Sequence, residues 1–434
     1  MKGLHNPFGR PPLPAVAERA FRYEQLTELT LPVAFTLLEG GIVGVIAAKI
    51  YHVSPMVLAV ITAAPMFGNL SSFFWSRIAN ARGKVRVTTT VQVLTVLCVV
   101  AIALTPVSQT GTALLVLGMV LSRLLIAGIT TVRSVVWSLN YARAVRARTT
   151  GRLQIITSLV TVVISSLVGP LLDADPGSFR WVYGAGALFG VLGICFFSRV
   201  NVIGEARHRV LERRSQRNPT AGETLGFFTI LRRDRNFAQY QIYQFIAGSG
   251  NMIIEAPLVY LVTRELEASY TASIALTMVI PFALSVVTLP LWANFLDRVH
   301  VNEFRARQSV LWIISQLLLW FGAFTSSLLW IAASRLVLGV ARGGGSLAWQ
   351  LGHNDFAEPK ALSAYMGIHV TLTGVRGAIM PFLGMLLYLG AAGLNDSILP
   401  GESGGIGDGL FLLAAALSLI SWWGFRRLHL RMSA

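Results

Sequence analysis

Two stretches of the chain, 212 residues apart, read nearly alike. Ser122-Arg123-Leu124 through Ser134-Val135-Val136-Trp137-Ser138-Leu139 is echoed by Ser334-Arg335-Leu336 through Ser346-Leu347-Ala348-Trp349-Gln350-Leu351. Each copy sets an arginine inside a long apolar segment. In hydrocarbon an unpaired guanidinium costs on the order of 3 kcal/mol or more. A charge carried at the same place in both copies points to a use for it there. The repeat itself points to a molecule of two similar halves.

Composition says what surrounds those halves. The 434 residues are 54% hydrophobic and only 13% charged, whereas a soluble domain is about one quarter charged. The apolar residues come in long runs, so lipid is the solvent for most of the chain. A net charge of +16 would suit a nucleic-acid partner, but its placement argues against one. Of the 36 lysines and arginines, 28 fall in one set of alternating loops and termini, 3 in the opposite set and 5 inside spans. That asymmetry marks the cytoplasmic side. Cys98 and Cys195 each sit in an apolar run, so neither a disulfide nor metal binding is expected of them. Pro11, Pro12, Pro14, Glu18 and Glu24 interrupt the basic N-terminus, which lacks the layout of a cleaved signal peptide.

A helix crosses a bilayer with about 20 apolar residues. Twelve runs qualify: 29–50, 55–75, 87–106, 111–138, 153–172, 180–198, 238–263, 270–292, 309–326, 328–351, 362–389 and 408–425. An even number puts both termini on one side. The loops after the even spans carry most of the arginines, as in Arg77, Arg82, Lys84 and Arg86, then Arg143, Arg146, Arg148 and Arg152. The expected layout is an all-α membrane protein. It has a cytoplasmic segment at 1–28, a six-helix bundle at 29–198, a basic linker at 199–237, a second bundle at 238–425 and a tail at 426–434. The linker holds nine arginines and the run Arg207-His208-Arg209-Val210-Leu211-Glu212-Arg213-Arg214. It reads either as an amphipathic helix drawn to anionic lipid or as a solvated basic tether. On the opposite side, 390–407 is Gly-rich and acidic, with Asp396 and Glu402.

Twelve spans split six and six, a charged central loop, and arginine in spans 4 and 10 resemble the Major Facilitator Superfamily. The loop after span 2 in that family carries an early glycine and an Asp-Arg-x-Gly-Arg-Arg core. Here Gly68-Asn69-Leu70 is followed by Asn80-Ala81-Arg82-Gly83-Lys84-Val85-Arg86, with Asn80 where the aspartate is expected. The equivalent loop after span 8 has Asp297-Arg298, then Arg305 and Arg307. Arg123 with Gly128 in span 4, and Gly169-Pro170 in span 5, are similar to further family motifs. The resemblance implies two six-helix bundles in a monomer, spans 1, 4, 7 and 10 lining a central cavity, and alternating access to each side of the membrane. It also implies gating roles for Gly83, Arg86, Asp297 and Arg298.

Five arginines lie well inside spans: Arg123, Arg133, Arg335, Arg342 and Arg376. The acids inside are Glu39 on span 1 and Glu255, with Asn251, on span 7. A carboxylate at Glu39-Gly40-Gly41 must be paired or protonated, and Arg123 or Arg133 is the nearest partner the family arrangement offers. It serves either proton coupling or a static lock between spans 1 and 4. Arg342 opens Arg342-Gly343-Gly344-Gly345-Ser346, where three glycines admit a neighbouring backbone or a ligand. Arg335, Arg342 and Trp349 recur every seven residues and so lie near one face. On span 11, His369, Thr373 and Arg376 share a face; His369 is either a proton acceptor or a hydrogen-bonded packing residue. His353-Asn354-Asp355, at the end of span 10, reads first as a helix-end cap.

No Gly-x-x-x-x-Gly-Lys-Ser/Thr, Gly-x-Ser-x-Gly or His-Glu-x-x-His occurs, so neither ATP drive nor a familiar catalytic centre is expected. The reading is a non-enzymatic secondary transporter in a bacterial inner membrane, without cofactor or bound metal. Its solute is a small organic anion or an anionic metal chelate, and its coupling ion is the proton. Arg342, Arg376, Arg133, Asn251, Trp349 and His369 would contact the solute; Glu39, Arg123 and Glu255 would couple to the proton. Two other solutes remain open: an amphipathic drug-like compound moved outward, or a metal cation such as iron. A receptor or an intramembrane enzyme would need a soluble domain or a nucleophile–base pair, and neither is visible.

Overall fold

A computed structural model describes residues 13–217, 227–358, 361–394 and 404–433. Asp396 and Glu402 lie outside the described residues. Among those residues every regular element is helical. Hydrocarbon offers a backbone no hydrogen-bond partner, so a spanning segment must satisfy its own amides.

The helices are α1 (Ala15–Thr36), α2 (Gly40–Lys49), α3 (Pro55–Ala79), α4 (Lys84–Ala103), α5 (Gln109–Asn140), α6 (Arg143–Ala174), α7 (Phe179–Phe197), α8 (Glu205–Arg217) and α9 (Phe227–Arg233). They continue with α10 (Arg235–Met252), α11 (Glu255–Tyr260), α12 (Tyr270–Ile274), α13 (Ile280–Leu296), α14 (Val301–Phe324), α15 (Leu328–Leu351), α16 (Leu362–Gly393) and α17 (Gly409–Ser433). Among the described residues, ten stretches are long and apolar enough to cross a bilayer. The other two expected spans fall on α14 and α15, each of 24 residues. At 1.5 Å per residue each covers about 36 Å, enough for a hydrocarbon core of about 30 Å. What sets these two apart is polarity: α14 carries Gln308 and Gln316, and α15 carries Arg335, Arg342 and three consecutive glycines.

The chain divides into two compact units. The first comprises residues 1–39, 71–171 and 175–222, the second 40–70, 172–174 and 223–434. In the first, α1 packs on α7, and α4 packs on α5 and α7. In the second, α15 packs on α13 and α14, while α17 packs on α10 and α14.

Two spans break at related places. The first span begins at Ala15, well before residue 29, and its helix stops at Thr36; Leu37 to Glu39 form a tight turn before α2. The span starting with α10 stops at Met252, and Ile253-Ile254 separate it from α11. Each break sits beside an acid, Glu39 or Glu255, and each frees backbone carbonyls. The Leu38 carbonyl accepts from Arg123 Nη2. The Ile253 carbonyl lies against α16 at Gly384, where a Cβ would stand 1.9 Å from the oxygen. Gly384→Ala should therefore lower the melting temperature of purified protein, consistent with a cost of about 1–3 kcal/mol for overpacking. Gly151→Ala, with nothing within 4 Å of the added carbon, should not; equal melting temperatures for the two variants would contradict the close approach.

Candidate functional site

Polar side chains inside the first unit gather between α1, α5 and α6. On α1, Glu24 and Glu28 are four residues apart and so share a helix face. Both are buried, Glu24 completely. Arg133 of α5 meets them together: its Nη2 is 3.0 Å from Glu24 Oε2 and also pairs with Glu28. Trp137 Nε1 donates to Glu24 at 2.5 Å, the Tyr141 hydroxyl donates to it at 2.9 Å, and the Thr157 hydroxyl donates to Glu28. The guanidinium also lies over the Trp137 ring, 5.0 Å from its centroid.

One ion pair higher, Arg123 grips Glu39 with both prongs. Nη1–Oε1 and Nη2–Oε2 are each 3.0 Å. Nη1 donates to the carboxylate while Nη2 donates to the Leu38 carbonyl beside it, and these charge-assisted bonds fix orientation as well as distance. Glu39 stays about one-third exposed. A cavity of about 220 Å³ opens beside these groups, lined by Glu28, Glu39, Arg123, Arg133 and Gln154 among others. Three carboxylates thus face two guanidiniums.

The second unit has the opposite balance. A cavity of about 260 Å³ is lined by Asn251, Glu255, Arg305, Arg342, Trp349 and Arg376, with Trp312 beside them. Arg376 of α16 is buried and donates to the Gln244 carbonyl at 2.5 Å. Gly248 makes that possible, since a Cβ there would stand 2.0 Å from the guanidinium carbon. Arg305 of α14 is buried too and donates to Gln308 at 3.1 Å, which donates in turn to the Ala341 carbonyl. Arg342 lies 4.1 Å from the Phe282 ring centroid. Arg305 and Arg376 thus bond neutral oxygens, those of Gln308 and of the Gln244 carbonyl. Three guanidiniums therefore surround a cavity that holds one carboxylate, Glu255.

The structure gives each expected site residue a definite place. Arg342, Arg376, Asn251, Trp349 and Glu255 converge on the second cavity. The Asn251 side-chain oxygen accepts from Gln316, and Trp349 donates to Thr373 at 3.2 Å. His369 stands behind Trp349, ring centroids 5.5 Å apart, and bonds Gln241. Arg133 belongs to the other unit, held by two carboxylates. Arg335 is buried and interacts electrostatically with Glu255, as Arg123 does with Glu39. Two of the three glycines of α15 serve helix packing: a Cβ at Gly343 would stand 2.8 Å from the Ser285 carbonyl of α13, and one at Gly344 would meet Trp292. Asp297 and Arg298, at the end of α13, line a surface cleft with Asn354 and Asp355. Arg86 is exposed in the first turn of α4, beside Gly83.

Glu24, Glu28 and Arg305 belong to these clusters although the sequence reading set them outside the spans. By apolar pattern Glu24 and Glu28 fall in the N-terminal segment, and Arg305 in the loop before span 9. Their spacing held the signal. Glu24 and Glu28 are one helical turn apart, as are Arg305 and Gln308, and both pairs run straight into apolar segments.

The chain belongs to the Major Facilitator Superfamily, whose profile matches residues 31–309. No curated protein matches it in sequence. Among solved structures it is similar to a point mutant of the nucleoside transporter NupG, with TM-score 0.71 at 12% identity over 94% of this chain and 99% of that one. It is similar to a D-xylose-proton symporter, with TM-score 0.70 at 12% identity over 94% and 97%. A POT family transporter in complex with 5-aminolevulinic acid gives TM-score 0.70 at 14% identity over 98% of both chains. At these identities the likeness is one of fold, and the fold is that of a multi-pass membrane transporter.

Two consequences can be measured. Arg133→Gln leaves Glu24 and Glu28 buried without their cation, and losing one partner of such a cluster costs about 3–5 kcal/mol. Its melting temperature should drop sharply, and Glu28→Gln added to it should recover part of the loss. No recovery in the double variant would contradict the charge argument. The second consequence concerns pH. His353, in the turn after α15, and His300, before α14, are held below the ordinary histidine range by burial, an effect that Asp355 partly offsets at His300. The unfolded chain then takes up their protons first. Their contribution to stability is whole above about pH 6.5 and falls as the pH drops below it. Melting temperature measured from pH 7.5 down to about 5.5 should decline, and His353→Gln should flatten the slope.

Proposed function

We propose that the protein is a proton-coupled carrier of a small organic anion. The observation that supports this most is the opposite charge balance of the two cavities. Three guanidiniums with one carboxylate favour an anionic solute in the second unit. Paired carboxylates and guanidiniums in the first unit suit a coupling proton. Arg342, Arg376 and Arg305 anchor the anion, Trp349 forms a wall of its site, and Asn251 offers an amide. Glu39 exchanges its partner Arg123 for a proton during the cycle, and Glu255 stands in the related place of the second half. The D-xylose-proton symporter of similar fold is an example of such coupling. The carrier works as a monomer in a bacterial inner membrane with both termini cytoplasmic, and alternating access carries the solute across.

A counterflow assay in proteoliposomes, run with panels of organic anions, amphipathic cations and metal ions, tests the reading. A hydrogen bond to a charged group contributes about 1.5–3 kcal/mol. Arg376→Gln or Arg342→Ala should therefore weaken uptake of the anion about 10- to 100-fold with the folded yield unchanged. Glu39→Gln should keep exchange but lose acceleration by a pH gradient. Counterflow of cations alone, or full anion transport without Arg342 and Arg376, would overturn the proposal.

A further inference from the structure

Helix α8 lies between residues 198–204, which leave the membrane span α7, and the basic remainder of the linker. Its two faces differ in kind. Glu205, His208 and Glu212 lie on one side of the helix, and that side grips the turn between α3 and α4 in the same unit. Glu205 Oε1 accepts the Lys84 amide at 2.6 Å. Glu212 accepts the Ala81 amide at 2.8 Å and pairs with Lys84 Nζ at 2.8 Å. Lys84 is 1% exposed, so this carboxylate neutralises a buried charge. Ala81 holds φ at 59°, a left-handed conformation that costs a residue with a Cβ about 1–2 kcal/mol. The linker therefore holds a strained turn and supplies the carboxylate that Asn80 does not.

Among the described residues the other face carries no such contacts. Arg207, Val210, Leu211, Arg213 and Arg214 are all exposed there, with Val210 47% and Leu211 53% accessible. Arginine beside exposed aliphatic residues on one face of a short helix, at the end of a membrane span, matches a headgroup layer. At such a layer apolar side chains reach the acyl boundary and guanidiniums meet phosphate. A solvated tether would have no need of Val210 and Leu211 on its outer face.

The geometry points to α8 as a binding surface for anionic phospholipid headgroups which, through Glu205 and Glu212, transmits lipid composition to the turn between α3 and α4. Occupied by anionic lipid, α8 stays seated and the turn keeps its strained form. Without anionic lipid, the basic face loses its counter-charge and the grip loosens.

Full-length protein in nanodiscs of phosphatidylcholine, with or without about one third phosphatidylglycerol, tests this without knowledge of the solute. Two readings are taken: lipid retained by the purified protein in native mass spectrometry, and amide exchange at residues 79–86. The variant is Arg207→Gln/Arg213→Gln/Arg214→Gln, and a control of equal charge is Arg426→Gln/Arg427→Gln/Arg431→Gln on α17. Phosphatidylglycerol should slow exchange at 79–86 in the unaltered protein. The α8 variant should lose that protection and about 10-fold in preferential phosphatidylglycerol retention, while the α17 control keeps both. Glu212→Gln should retain the lipid yet leave 79–86 exchanging fast in either membrane. Equal retention by the unaltered protein and the α8 variant, or equal losses in the α8 and α17 variants, would overturn the proposal.

Discussion

Everything in this molecule is arranged around charge that hydrocarbon will not tolerate alone. A guanidinium or carboxylate inside a membrane must find a counter-charge, a freed backbone group or an aqueous hollow. The chain uses all three. Arg133 sits between Glu24 and Glu28. Arg123 takes both the Glu39 carboxylate and the Leu38 carbonyl. Arg305, Arg342 and Arg376 instead border a cavity. The first two solutions are closed within the protein, and the third leaves room for something brought from outside.

A helix break makes the second of these solutions possible. An unbroken span already engages its carbonyls in its own ladder, and at such a place an arginine can only share one, as Arg376 shares that of Gln244. Interrupting α1 at Leu37 to Glu39, and α10 at Ile253-Ile254, frees backbone oxygens beside an acid in each half. Irregular backbone at membrane depth survives where protein covers it. Gly384 provides such cover by letting α16 close over the Ile253 carbonyl. Each break stands next to a glutamate; the first meets Arg123 through the Leu38 carbonyl, and the second lies under α16.

Much of this was legible beforehand. Long apolar runs announced the spans, because nothing but a self-bonded helix crosses lipid. The echo around Arg123 and Arg335 gave the expectation of two halves, while the two compact units divide the chain differently, with residues 40–70 and 172–174 in the second. Arg342, Asn251 and Trp349 on spans 7 and 10, and Arg376 on span 11, border one hollow, whereas Arg133 and His369, expected with them, do not line it. The misses share one cause. Glu24, Glu28 and Arg305 lie where polarity rises at the end of an apolar run, and there a hydropathy reading stops the helix too soon. A helix continues through such residues when a partner on a neighbouring helix neutralises them, as Arg133 does for the two acids.

The sequence by itself determined that the chain is helical, which apolar runs cross the membrane and which charged side chains lie in the middle of those runs. Those properties follow from local periodicity and from the cost of placing polar atoms in lipid. Only the tertiary structure decided which charges are already matched. Arg133 and Arg376 look alike along the chain, yet one is clamped by two carboxylates and the other borders a cavity and donates to a backbone carbonyl. Pairing depends on side chains more than a hundred residues apart coming within about 3 Å of each other, and no local pattern encodes that distance.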